Sequence, residues 1–150
     1  PPSRFHERKN SPAASRLSAL RDGLLHLHKK LLDSERAAYE HDVSKIHSSG
    51  HLLELVLNDP AFAWLRELSQ LVVVIDEALD AEEPVSPAEA DRLIARARGL
   101  LTASETGDEF QRRYYEAFQR DPGTVIAHGE MMKVFGAVDG LTRAPGPAPS

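Results

Sequence analysis

The sequence contains no cysteine, and this absence removes several classes of chemistry. Disulfides, thiol catalysis and the zinc or iron–sulfur sites that depend on cysteine ligands are excluded. The strongly apolar run around residues 71–75 is far shorter than the roughly 20 residues that a membrane-spanning helix requires. No apolar segment of the secretory-signal type appears near the N-terminus. Because a cysteine-free chain suits a reducing compartment, we expect a cytoplasmic protein without a transmembrane segment.

The sequence equally lacks the short motifs of the common catalytic and nucleotide-binding classes. It has neither a glycine-rich phosphate loop nor a Gly-x-Ser-x-Gly nucleophile elbow, and we assign no catalytic residue. The net charge of −5 argues against a general nucleic-acid binder. Residues 1–30 are basic and residues 33–91 are strongly acidic. We therefore expect the basic arm to pair with the acidic body, and a contact with nucleic acid or an anionic membrane is the alternative.

Four dipeptides in the sequence have the chemistry of a helix start. Each places a Ser or Asp directly before a Pro: Ser11-Pro12, Asp59-Pro60, Ser86-Pro87 and Asp121-Pro122. The Ser or Asp oxygen can accept hydrogen bonds from the first free backbone N–H groups of a helix. Pro lacks an N–H at a position where none is needed, and its φ already suits the helix. The sequence therefore predicts helices that begin at these four points.

Apolar residues recur every three or four positions in most of the chain, which is the period of a helix. The predicted helices cover about residues 12–46, 60–79, 87–101, 108–120 and 122–135, with a short apolar segment at 52–57. The first helix is more than twice the usual length, and its apolar phase leaves open a kinked continuation past Gly50. We predict an all-α fold, a single-domain bundle of five to six helices with one long N-terminal helix. This domain spans residues 11–138, between a flexible basic arm at 1–10 and a disordered Pro-, Ala- and Gly-rich tail at 139–150.

The long first helix carries an unusual row of polar residues. His28, Glu35 and Asp42 are spaced seven residues apart, and a seven-residue step returns to nearly the same helix face. Tyr39 lies beside them, and the leucines of the same stripe indicate that this face is buried. Buried ionisable groups need partners, because an unpaired one costs several kcal/mol. The simplest interpretation is a polar seam that fixes the register within the bundle or at a dimer interface.

The alternative interpretation is a binding site for a metal ion or haem inside the bundle. His28, Glu35 and His128 are the candidate ligands, because His128 lies on the apolar side of the last predicted helix and two imidazoles can hold an iron between them. Helical bundles with two metal ions use carboxylates and histidines in a similar way. However, the sequence has no Glu-x-x-His motif, and a seven-residue step along one helix separates side chains by roughly 10 Å. No cofactor is therefore favoured.

The most apolar predicted helix, at 60–79, favours a protein–protein interaction. Val73 and Val74 fall outside its apolar stripe, so apolar surface extends around more than half of the helix. Such a helix lies either at the centre of its bundle or in a subunit interface. We predict a non-enzymatic interaction or regulatory module that self-associates as a dimer, with Val73 and Val74 at the interface. The alternative is a ligand- or metal-binding bundle, with or without enzymatic activity.

Overall fold

A computed structural model describes residues 11–142, and within this range the fold is all-helical. The predicted fold class is confirmed, but this part of the chain forms seven helices rather than five or six. The predicted arm at 1–10 and residues 143–150 of the predicted tail lie outside the described residues. No helix between residues 11 and 142 is long and apolar enough to cross a membrane. In chain order, the helices are α1 Pro12–Asp42, α2 Ser49–Asn58, α3 Pro60–Ala63, α4 Arg66–Asp80, α5 Pro87–Leu100, α6 Glu109–Arg120 and α7 Pro122–Thr142.

Two local features account for the larger number of helices. The short apolar segment forms a helix of its own, α2, and the hydroxyl of its N-cap Ser48 accepts a hydrogen bond from a backbone N–H three residues later. The predicted second long helix is divided into α3 and α4 by a turn at Trp64 and Leu65, where the Leu65 N–H donates to the Phe62 carbonyl at 3.1 Å. Trp64 and Leu65 are both buried, so the core fixes the turn. Periodicity alone does not show it, because one tighter turn barely changes the apolar spacing.

The first helix ends at Asp42, short of the predicted residue 46. The Val43 N–H donates to the Tyr39 carbonyl at 2.8 Å, and the Ile46 N–H donates to Glu40 Oε2 at 3.3 Å. These two bonds hold the following segment against the last turn of α1. The kinked continuation into α2 is therefore not observed.

All four predicted helix starts are confirmed. In each case the Ser or Asp oxygen accepts a hydrogen bond from a backbone N–H two or three residues later, at 2.9 or 3.0 Å. The start of α6 has no Pro and uses a reciprocal capping box between Asp108 and Gln111 instead. The four predicted acceptors are Ser11, Asp59, Ser86 and Asp121.

The helix α1 is central and packs along α7 on one side and against α4 and α5 on others. The helices α1 and α7 run antiparallel, because Gly23 lies against Val134 whereas Glu35 contacts Arg120, just before α7. A Cβ at Gly23 would lie 3.0 Å from Val134 Cγ1, so glycine permits the close approach of the helices here. The helix α7 reaches Thr142, so the first four residues assigned to the predicted tail are helical.

Leucines of α1 and aromatic residues of neighbouring helices form the core. The ring centroids of Trp64 and Phe110 are 5.1 Å apart, and Tyr114 follows at 5.7 Å from Phe110. This aromatic row fixes α6 against the turn between α3 and α4. Five α1 leucines are at most 1% exposed: Leu17, Leu20, Leu24, Leu27 and Leu31.

Candidate functional site

His28 connects α1 to α4. Its Nε2 lies 2.9 Å from Ser69 Oγ, which also lies 3.3 Å from the carbonyl oxygen of Leu65. A serine hydroxyl can accept from an imidazole N–H and donate to a carbonyl, so one histidine tautomer satisfies all three groups. Burial lowers the pKa of His28 and keeps the ring neutral at neutral pH. The contact is a polar bridge between two helices.

Glu35 is the buried member of the predicted polar row. Its Oε1 accepts a hydrogen bond from Arg120 Nη2 at 3.0 Å, and the same nitrogen donates to Ser34 Oγ at 3.2 Å. The Glu35 side chain is 8% exposed, whereas that of Arg120 is 37% exposed. Arg120 is the last residue of α6. The ion pair therefore holds the end of α6 against the middle of α1.

The polar row does not remain buried as far as Asp42. The Asp42 side chain is 69% exposed and its Oδ1 lies 2.8 Å from His41 Nδ1. The helix α7 begins close to Glu35, because Arg120, which contacts Glu35, lies just before it. The residues of α1 after Glu35 therefore extend past the start of α7, which does not cover them. The expected burial of Asp42 is thus corrected. Tyr39 is half-buried, with its ring 5.7 Å from that of Phe62 in α3.

His128 connects α7 to α6. Its Nδ1 lies 2.8 Å from Tyr114 Oη, and its ring stands edge-on to those of Tyr114 and Phe118 at 5.4 and 5.1 Å. Burial raises the pKa of Tyr114 and lowers the pKa of His128. The hydroxyl therefore stays protonated and donates to Nδ1 of a neutral imidazole. This bond fixes the orientation of α7 relative to α6.

The three candidate ligands do not share one site. Each of His28, Glu35 and His128 has its own hydrogen-bond partner on another helix. The described part of the chain contains no group of three or more His, Asp or Glu residues that could hold a metal ion. Instead, each of the three residues joins α1 or α7 to a neighbouring helix.

The predicted interface valines differ in exposure. Val73 is 52% exposed, whereas Val74 packs against the core. Leu25 of α1 is 48% exposed. The contacts Arg21–Asp76 and His28–Ser69 join α1 to α4 one turn to either side of Leu25 and of Val73, which places these two residues on the same seam. Leu25 and Val73 therefore form a small apolar patch at the seam between these helices.

The helix α2 carries a second exposed apolar surface. None of its side chains is buried, although half of its sequence is Leu or Val. Leu53 and Leu57 lie on one face and are 58% and 55% exposed. Arg66 Nη2 donates to the Leu57 carbonyl at 2.7 Å, and α3 is its main packing partner. Hydrogen bonds at both ends hold α2 in place, and its apolar residues Leu52, Leu55 and Val56 are only half-buried.

A third exposed apolar surface lies on α7 and covers more residues. One side of this helix is buried against α1 and α6, whereas the opposite side exposes Val125 by 47%, Ile126 by 65% and Met132 by 39%. Two polar contacts border this side: Glu130 with His26 of α1, and the ion pair of Asp139 with Arg98 of α5. We call it the outer face of α7. It consists of Val125, Ile126, Gly129, Met132, Lys133, Gly136, Ala137 and Gly140.

The glycines of the outer face pack against nothing among residues 11–142. A Cβ added to Gly129, Gly136 or Gly140 would meet no heavy atom of these residues within 4 Å. A glycine in a helix interior costs roughly 1 kcal/mol relative to alanine. The outer face thus combines exposed apolar side chains, open backbone and a polar border.

Sequence reasoning missed the outer face of α7, although a signal is present. Between Pro122 and Thr142 the only charged residues are Glu130, Lys133 and Asp139. This helix therefore has no continuous polar side, and a helix that is apolar all round is normally buried.

We compared the chain with known protein families, curated proteins and solved structures, and none of them matches it. His28, Glu35 and His128 each have a hydrogen-bond partner on another helix. The exposed apolar surfaces are not covered by any of the described residues.

Proposed function

We propose that this protein is a non-enzymatic helical interaction module that self-associates as a dimer through the outer face of α7. The observation that supports the proposal is the exposed side of a helix whose sequence is apolar nearly all round. Removing apolar surface from water contributes roughly 25 cal/mol per Å². A rimmed apolar surface on a small protein is typical of a protein-binding site.

The outer face suits self-association better than the other two exposed surfaces. The Leu25–Val73 patch contains two side chains, and α2 has ten residues, a length of about 15 Å. The helix α7 has 21 residues and is about 31 Å long. A helix pair of this length belongs to the small end of protein interfaces, so we expect a dimer that dissociates on dilution to roughly micromolar concentration.

The test is sedimentation velocity of the wild type and of Ile126→Glu. At about 100 µM, well above the expected micromolar dissociation constant, the wild type should have twice the 16.5 kDa mass of the chain. Ile126→Glu should sediment as a monomer, because it places a charge at the most exposed apolar residue of the face. Its circular dichroism should be unchanged, since the residue is outside the core.

Val73→Glu is the matched control, because it makes the same change at a similarly exposed branched residue of α4. The Val73→Glu protein should sediment with the same mass as the wild-type dimer. If Val73→Glu dissociates the dimer and Ile126→Glu does not, the interface lies at the valines instead of at α7. A wild-type protein that remains monomeric at the higher concentration would contradict self-association altogether.

A further inference from the structure

We propose that two copies meet along the outer face of α7 in an antiparallel arrangement, with a two-fold axis between Met132 and Lys133. This inference rests on the self-association proposed above and adds the register of the contact. In this register, Gly129 of one copy faces Gly136 of the other, and Val125 faces Gly140. Every contact occurs twice, as a two-fold interface requires.

Side-chain size favours this register. Ile126 is the most exposed large apolar side chain of the outer face, at 65%. In the antiparallel register it lies opposite the space between Gly136, Ala137 and Gly140 of the second copy. The described part of the chain leaves that space open, because a Cβ on either glycine would meet none of its heavy atoms within 4 Å. A large side chain opposite small ones is how facing helices interlock.

Charge favours the same register. Lys133 is exposed at the centre of the outer face and has no ion-pair partner within residues 11–142. Glu130 lies on the α1 side of the face, 52% exposed and 3.1 Å from His26 Nε2. Across the two-fold axis, Lys133 of each copy lies within about 3 Å of Glu130 of the other, measured along the helix. Two reciprocal ion pairs can therefore form at the centre of the contact.

A parallel pair in register would lose both advantages. Ile126 would face Ile126, and the glycines would face each other with no side chain to fill the gap. Lys133 would face Lys133 and Glu130 would face Glu130, and like charges on adjacent helices repel. The side-chain sizes and the charges of the outer face therefore select the same antiparallel contact.

Because the chain contains no cysteine, introduced cysteines can map this contact by disulfide formation under mild oxidation. Lys133→Cys, next to the axis, should link to its own copy. Ile126→Cys alone and Gly140→Cys alone should not, since each lies about 20 Å along the helix from its counterpart, far beyond the reach of a disulfide. A mixture of Ile126→Cys with Gly140→Cys should link. A mixture of Ile126→Cys with Gly129→Cys, roughly 15 Å apart along the axis, is the matched control and should not.

We expect most of the Lys133→Cys protein, and most of the Ile126→Cys and Gly140→Cys mixture, to migrate as linked dimers on a non-reducing gel. Self-linking of Ile126→Cys and of Gly140→Cys would overturn the inference, because only a parallel pair places each position beside itself. A wild-type dimer in sedimentation without either expected link would also overturn the register while leaving the proposed function in place. A wild-type monomer would remove both proposals.

Discussion

The ion pair between Glu35 and Arg120 predicts an asymmetric response to mutation. The Glu35 side chain is 8% exposed and that of Arg120 is 37% exposed. Arg120→Ala leaves a carboxylate without its counter-ion in a site that water scarcely reaches. Glu35→Gln leaves a guanidinium that retains an amide oxygen as acceptor and has access to water. The first change should therefore destabilise the fold much more than the second.

The magnitude follows from these exposures. Removing one partner of a fully buried pair costs about 3–5 kcal/mol, and the partial exposure of Arg120 reduces this, so we expect roughly 2–4 kcal/mol for Arg120→Ala. Glu35→Gln exchanges a charged acceptor for a neutral one and should cost about 1 kcal/mol. In the double variant the buried charge is gone. Adding Glu35→Gln to Arg120→Ala should therefore recover about 1–2 kcal/mol. Together with the cost of about 1 kcal/mol for Glu35→Gln alone, this corresponds to a coupling energy of about 2–3 kcal/mol in a double-mutant cycle.

Urea unfolding provides the assay, followed by the fluorescence of Trp64. This residue is the only tryptophan, is 4% exposed and packs 5.1 Å from Phe110, so its emission should report loss of the core. The midpoint should shift without a change in slope if the variants differ only in stability. The reasoning is refuted if Glu35→Gln costs as much as Arg120→Ala. It is also refuted if Glu35→Gln destabilises the Arg120→Ala protein further.

Two further predictions concern pH and helix capping. Burial lowers the pKa of His28 and of His128, so below their ordinary pKa of about 6.5 the unfolded chain binds more protons than the folded one. The free energy of unfolding should therefore fall as the pH drops below about 6.5. Replacing both histidines by Gln should flatten the plot of urea midpoint against pH in this range. An unaltered plot would contradict the role given to the two buried histidines. Ser86→Ala should cost about 1 kcal/mol in thermal unfolding, because the hydroxyl caps the Glu89 N–H. Ser44→Ala, at an exposed serine outside the helices, is its control and should change nothing.

The helix starts could be predicted from sequence because they depend on local chemistry. The oxygen of a Ser or Asp reaches an N–H two or three residues later whatever the rest of the chain does. The ends and breaks of helices were not predictable in the same way. The first helix ends at Asp42, where the Glu40 side chain accepts the Ile46 N–H just beyond it. The turn at Trp64 and Leu65 is fixed by the core around them.

The polar residues of the candidate site were identified from sequence, but their partners were not. The seven-residue spacing drew attention to His28 and Glu35, and each makes a polar contact with a neighbouring helix. Their partners, Ser69 and Arg120, lie 41 and 85 residues further along the chain, and no local pattern connects such positions. The spacing also placed Asp42 in the same row, although the chain provides nothing to cover it.

By itself, the sequence determined that residues 11–142 are all-helical and where four of their helices begin. Only the tertiary structure decided which helix faces are covered. The helix α7 shows this difference, because its apolar sequence does not distinguish an inner from an outer side. Packing against α1 and α6 buries Met131 and leaves Ile126 exposed. The physical reason is that a helix start is a hydrogen bond within one segment, whereas burial is a relation between two surfaces brought together by the whole fold.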